Sequence, residues 1–168
     1  TGAGGNVAAD RVAKSTPDGY TLLIVAGGHA ISAAIYNKLP YHPVDDFQMI
    51  STLVYFPFVV AVSKDSPFGS MADIFAGAKT KPGTVTYAIS GTGGINHFAG
   101  GLFARLTGVR LVNVPYKGGA QALTDLVGGQ VQIMFGTAAI TLAQIRAGRM
   151  KPLGVSTPKR SPLLPEVP

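Results

Sequence analysis

From Phe58 onward the chain alternates between two hydrophobic periods. Strand-like runs at Phe58–Val62, Thr84–Ile89, Arg110–Val114, Val131–Phe135 and Lys151–Ser156 are separated by stretches with apolar residues three or four apart. Those stretches carry Met71, Ile74, Phe75 and Ala78; then Phe98, Leu102 and Leu106; then Ala120, Leu123 and Val127; then Ala138, Leu142 and Ile145. Each spacing predicts a helix, with Ala120, Leu123 and Val127 turned inward. Upstream the pattern predicts a helix over Thr1–Lys14, a buried strand over Tyr20–Val25 and a short helix over Ala30–Tyr36. An irregular stretch, Leu39–Phe47, and a β-like run, Met49–Val54, follow. Strands alternating with helices at this spacing predict an α/β fold, a parallel sheet covered on both faces.

The punctuation agrees with this reading. Pro17-Asp18-Gly19 is a turn, and Ser70 with Asp73 three residues on is an acidic variant of the helix capping box. Lys79 and Lys81 suit the end of that helix, and Pro82-Gly83 stops it.

Ligands in such sheets sit beyond the strand C-terminal ends. Three tips are candidates: Gly27-Gly28-His29, Ser90-Gly91-Thr92-Gly93-Gly94-Ile95-Asn96-His97, and Gly136-Thr137. The second has the strongest chemistry. A strand, a glycine-rich turn and a helix in that order leave backbone N–H groups free at a positive helix end, which suits an anion. Ser90, Thr92 and Asn96 add side-chain hydrogen-bonding groups. The turn lacks the Gly-Lys-Ser/Thr ending of a phosphate loop, and Asn96 stands where a dinucleotide fingerprint needs its third glycine.

Composition narrows the partners. Of 168 residues, 46% are hydrophobic and 13% charged, the profile of a folded globular chain, and the formal net charge is +6. The basic residues are scattered without a basic run, which argues against nucleic acid. Cysteine is absent. The longest apolar run, Leu53–Val62, is too short to span a bilayer. No signal peptide is visible, and neither end reads as a natural terminus. His29, His42 and His97 do not form a metal-ligand spacing, so neither a metal nor a cofactor is expected. Ser90 and His97 are the candidate nucleophile–base pair for an enzyme. Ser90 is not in a Gly-x-Ser-x-Gly elbow, and no orienting carboxylate is evident, so a hydrolase stands only as the alternative to a binding protein.

An ordered set of local patterns then resembles one family. It comprises Gly4-Gly5-Asn6, Pro17-Asp18-Gly19-Tyr20-Thr21-Leu22-Leu23, and Leu39-Pro40-Tyr41 with Pro43 and Asp46-Phe47. Further on are Lys81-Pro82-Gly83, His97 with Ala99-Gly100, and Val114-Pro115-Tyr116-Lys117-Gly118. Last come Leu123-Thr124-Asp125-Leu126, Gly129-Gln130-Val131 and Lys159-Arg160-Ser161-Pro162. Together they resemble the Bug (TctC-type) periplasmic solute receptors of tripartite tricarboxylate transporters, across essentially the whole chain.

The resemblance implies a two-lobed periplasmic-binding-protein-like fold with Rossmann-like lobes, closing on a small organic anion, usually a carboxylate. It implies a periplasmic location and the membrane subunits of a transporter as partners. It places Ser90–Asn96 as the second-lobe ligand loop and makes this an internal fragment with an incomplete first lobe. Residues 1–62 would belong to the first lobe, 63–151 to the second, and 152–168 to a return segment. The lobe crossings are expected near Val59–Ser63 and Leu153–Ser156. Family members that accept amino acids or amides carry an acidic residue after the strand matching Val131–Phe135. Gly136 stands there in this chain, so the expected ligand is a carboxylate without an amine.

Overall fold

The computed structural model describes residues 5–168, so the Thr1–Gly4 part of the first expected helix, and Gly4 of the Gly4-Gly5-Asn6 pattern, lie outside the described residues. In chain order the elements are α1 (Asn6–Ala13), α2 (Gly28–Ile35), β1 (Phe58–Ser63), α3 (Met71–Thr80), β2 (Val85–Ile89) and α4 (Ile95–Thr107). They continue as β3 (Leu111–Pro115), α5 (Gly119–Val127), β4 (Ile133–Thr137), α6 (Ala138–Arg146) and β5 (Met150–Val155).

The strands form a single five-stranded sheet in the order β3-β2-β4-β1-β5. It is mixed, not parallel. β2 runs parallel to β3 and β4, while β1 is antiparallel to both of its neighbours, β4 and β5. Hydrophobic runs report burial and not direction, so the reversal of β1 left no mark in the pattern.

Both faces of the sheet are covered. On one, Ile74 and Ala78 of α3 are buried against Val60, Val62, Tyr87 and Phe135, with Ala99 and Phe103 of α4 packed alongside. On the other, Ala122 and Leu126 of α5 meet Val59, Ala61 and Met134, with Leu142 and Ile145 of α6 half-buried beside them. The expected inward face of α5 is therefore turned slightly: Ala120 is exposed, and Leu123 and Val127 are half-buried. Leu164 and Val167 of the final segment are buried in this second layer, and the Val155 amide donates to the Pro168 carbonyl at 2.8 Å.

β1 and β5 also bind each other where β1 begins and β5 ends. The Phe58 amide donates to Ser156 Oγ at 2.8 Å, and the Ser156 amide donates to the Phe58 carbonyl at 2.9 Å. Both expected crossing segments are thus neighbouring strands of the one sheet, so Phe58–Val62 sits with the residues expected to form the second lobe.

Two expected strands do not form. Tyr20–Val25 and Met49–Val54 have no strand assignment, and Tyr20 is 92% and Ile24 83% exposed. A strand exists only against a partner, and among the described residues neither run is paired.

The cap on α3 forms as expected from its residues. The Asp73 amide donates to Ser70 Oγ at 3.2 Å, and Asp73 Oδ2 accepts from the Gly69 amide at 2.8 Å. Ser70→Ala is expected to lower stability by about 1 kcal/mol, measurable by urea denaturation. The Gly69 hydrogen bond, followed by that of Ser70, holds the Asp73 carboxyl below its ordinary 3.8. A lowered native value means a contribution that is complete above the ordinary value and lost as pH falls through the native one. Asp73→Asn should therefore lower stability at neutral pH and shrink that loss on acidification, as read from midpoints between pH 7 and about pH 2.

Candidate functional site

The Ser90–Asn96 turn leaves β2, an interior strand next to the central β4, and enters α4. Gly91 (φ 105°) and Gly93 (φ 81°) are both left-handed, a conformation in which a side chain is strained. That pair of kinks brings the first N–H groups of α4 to the end of the sheet. Gly94 is the N-cap residue and supplies no side-chain cap. The N–H groups of Ile95, Asn96 and His97 have no hydrogen-bond partner among the described residues, while the Phe98 amide already donates to the Gly94 carbonyl at 3.1 Å. Three donors at the positive end of a 13-residue helix are what an anion requires.

The side chains of the turn are spent on bracing it. Ser90 Oγ donates to Asn96 Oδ1 at 3.1 Å, and Asn96 Nδ2 donates to the Phe135 carbonyl at 2.6 Å. Asn96 therefore ties the tip of β2 and the start of α4 to β4. Ser90 has a single hydroxyl proton, and Asn96 takes it. His97 Nδ1 accepts from the Gly93 amide at 3.2 Å, so the neutral ring carries its proton on Nε2. The Gly93 amide is thereby engaged within the loop, as is that of Gly94, which donates to the Gly91 carbonyl. Thr92 is exposed. Ser90 bonds Asn96 and His97 bonds Gly93, so the two do not form the nucleophile–base pair of the hydrolase alternative.

The other two tips lie at the same end. Gly136 and Thr137 close β4, one residue beyond the carbonyl that Asn96 holds, and Thr137 is paired in register with Phe58. Gly136 is buried, and a side chain there would strike the Thr141 methyl. Gly27 and Gly28, at the start of α2, face the start of α4. A Cβ placed on Gly28 would lie 3.8 Å from the Ile95 nitrogen, and one on Gly27 would lie 3.2 Å from Ile95 Cδ1. Two helix N-termini thus converge, and the Ile95 side chain fills the space between them.

His29 is placed differently. Its ring stacks on Tyr41 (centroids 5.7 Å apart) and meets Phe47 edge-on, with Nε2 2.8 Å from the Pro43 carbonyl. The side chain pins the 39–47 segment onto α2, while its backbone stays at the converging ends. Burial and the neighbouring Asp10 carboxylate raise the Tyr41 phenol above its ordinary value, and its hydroxyl donates to Asn6 Oδ1 at 2.8 Å.

One contact was not visible in the spacing. The Tyr36 ring packs on Gly93, where an added Cβ would lie 3.3 Å from Tyr36 Cε2. Gly93→Val would meet both this ring and the positive φ, so a loss of about 1–3 kcal/mol is expected in urea denaturation. Among the described residues, a cavity of about 270 Å³ lies at the opposite end of the sheet, between Ser63, Asp65, Gly128 and Gln132. Another of the same volume lies beside Tyr41, Pro43 and Tyr36, whose ring packs on Gly93.

A protein of Agrobacterium vitis, described as the UPF0065 protein in the TAR-I ttuE-ttuC' intergenic region, is 37% identical over 167 residues, 99% of this chain and 48% of its own length. Rhodopseudomonas palustris Rpa4515, solved with adipate, superposes with a TM-score of 0.91 at 36% identity, covering 98% of this chain and 55% of that one. MatC of the same organism, solved with bound malate, gives 0.91 at 32% identity, covering 99% and 57%. The chain spans about half the length of the curated relatives it matches. The chain shares its fold with the periplasmic binding protein BugD, at a TM-score of 0.91, and the matching family is one of receptors, not enzymes. The tripartite tricarboxylate transporter family receptor model, TctC, matches residues 1–168, and the chain belongs to that family.

Proposed function

We propose that this chain is the ligand-gripping half of an extracytoplasmic receptor that captures a small carboxylate for a tripartite tricarboxylate-type transporter. The observation that carries the reading is the set of free Ile95, Asn96 and His97 amides at the N-terminus of α4, facing the N-terminus of α2. A carboxylate accepts from such amides without needing a positive side chain. The ligands seen in Rpa4515 and MatC, adipate and malate, are of this class.

In this reading Ile95 must withdraw from Gly27 for the ligand to enter, so the two helix ends part and close again. The paired start of β1 and end of β5 are the natural pivot, since both leave the sheet there. The lobe division then falls near Pro57 and Ser156, with the receptor acting outside the cytoplasm against membrane subunits. Gly136 leaves no carboxylate to pair with an ammonium group at the β4 tip, which favours acids without an amine.

A thermal-melt screen of the full-length receptor against mono-, di- and tricarboxylates and their amino analogues tests this. At a hundredfold excess over the dissociation constant, a true ligand should add about 2.7 kcal/mol of stability. Selective stabilisation by an amino acid over its deaminated counterpart would sink the ligand assignment.

A further inference from the structure

The repeat that marks α4 as a helix, Phe98, Leu102 and Leu106, faces away from the sheet. These residues are 48%, 42% and 77% exposed, while Ala99, Gly100 and Phe103 take the inner face. Spaced four apart, the three side chains form one apolar stripe about 12 Å long. The stripe begins at the residue after the candidate ligand loop and runs to the opposite pole.

Around the end of α4 the charged side chains are basic. Arg105 lies in the last turn of α4, and Arg110 follows it. The Gly83 amide donates to the Arg110 carbonyl at 3.2 Å, which brings the end of α3, with Lys79 and Lys81, to the same place. All four are exposed, and none is in a salt bridge among the described residues. Lys79 lies over the Phe75 ring, 4.7 Å from its centroid. From Ile74 to Thr124 the sequence contains no aspartate or glutamate at all.

We infer that this face of α4 is the surface by which the receptor docks on its transporter's membrane subunits, an inference that rests on the receptor reading above. The partner it fits has an apolar groove that takes a helix stripe, with carboxylates at the end that meets Arg105, Arg110, Lys79 and Lys81. Charge complementarity selects an acidic partner, and the surface geometry selects protein over lipid. Phe98 and Leu102 are about half covered by the protein, where insertion into a bilayer needs an apolar face free to sink past the headgroups. The cations gather at one pole, where a membrane-surface helix has them along its polar face. Because the same helix offers its N-terminus to the ligand, docking and ligand capture share one rigid element.

The test uses the full-length receptor and its membrane subunits in nanodiscs, with affinity measured by interferometry, with and without a saturating carboxylate. The variants are the double change Leu102→Asp/Leu106→Asp and the charge reversal Arg105→Glu/Arg110→Glu. The apolar double variant should bind the subunits about tenfold or more weakly. The charge reversal should weaken docking and remove most of its salt dependence. Ligand affinity by calorimetry should stay at the wild-type value for both, which also shows that they fold. The ligand-free arm separates this inference from the carboxylate reading, whose failure would appear only in the calorimetry. Unchanged docking by both variants would overturn the inference. So would a collapse of ligand affinity and melting temperature, which would mean that the stripe is covered within the receptor itself. Loss of a receptor dimer in sedimentation, or of binding to phosphatidylserine vesicles, in place of loss of subunit binding would equally overturn it.

Discussion

Asn96→Asp is expected to weaken carboxylate binding by roughly 30- to 1000-fold, the equivalent of about 2–4 kcal/mol for two negative charges ~4–8 Å apart at an effective dielectric near 20. The substitution replaces the amide that spans Ser90 and the Phe135 carbonyl with a group that cannot donate when ionised. It therefore loosens the brace and places a negative charge beside the free amides in one step. Asn96→Leu separates the two effects. It removes the brace alone, leaves the Phe135 carbonyl without its donor, and should cost about 1–3 kcal/mol of stability. Its ligand affinity should fall much less than that of the aspartate variant. Calorimetric titration of both with one dicarboxylate, repeated at high salt, distinguishes charge from geometry.

The largest effect on stability is expected at Gly100. This residue is in the middle of α4, and a methyl group there would overlap the Tyr87 ring of β2. Tyr87 is 3% exposed, meets Phe135 edge-on with centroids 5.8 Å apart, and has its phenol pushed up by burial. It has nowhere to retreat. Gly100→Ala gains helix propensity of about 1 kcal/mol relative to glycine, so its net loss is the overpacking cost of about 1–3 kcal/mol less that gain. Gly100→Val adds two further methyls and a stiff side chain, and it should fall at or beyond the upper end of that range. Because α4 would have to lift off β2, the Asn96–Phe135 hydrogen bond should lengthen as well. Loss of ligand affinity should accompany the loss of stability, read by urea midpoint and calorimetry on the same samples.

These residues also show where sequence reasoning reached and where it stopped. All five strands of the sheet overlap runs read from alternation or continuous hydrophobicity, with ends shifted by one or two residues. The interior strands β1, β2 and β4 are buried by helices on both faces, while the edge strand β3 is half exposed. The direction of β1 was beyond reach, since no periodicity encodes it. Tyr20–Val25 and Met49–Val54 have the composition of strands, but composition states only what a segment can pair as. The helical repeat of α4 was visible, yet its large residues point outward, because Gly100 and Ala99 let the helix sit closely on Tyr87. Size at a repeat position is thus a poor guide to its face where a glycine lies between.

At the site, the strand–glycine–helix order and the free amides followed from the residues. The arrangement of Ser90, Asn96 and His97 did not. Their residue types mark them as hydrogen-bonding groups near an anion, and the spacing does not say that they would bind one another and the backbone. Tyr36 on Gly93 was invisible for a related reason, since contacts between distant segments leave no local signature. The family resemblance, by contrast, was fully legible, because it rests on many short patterns kept in order.

The most direct test of the central claim is an amide chemical-shift titration of the isotope-labelled full-length receptor with a dicarboxylate that stabilises it. Anion capture at the α4 N-terminus predicts the largest downfield movements at the Ile95, Asn96 and His97 amide protons, with Phe98 and Gly94, already engaged within the turn and helix, moving less. Saturation of those shifts should follow the calorimetric binding curve. A ligand whose principal shifts fall elsewhere, with Ile95–His97 unmoved, would contradict the account.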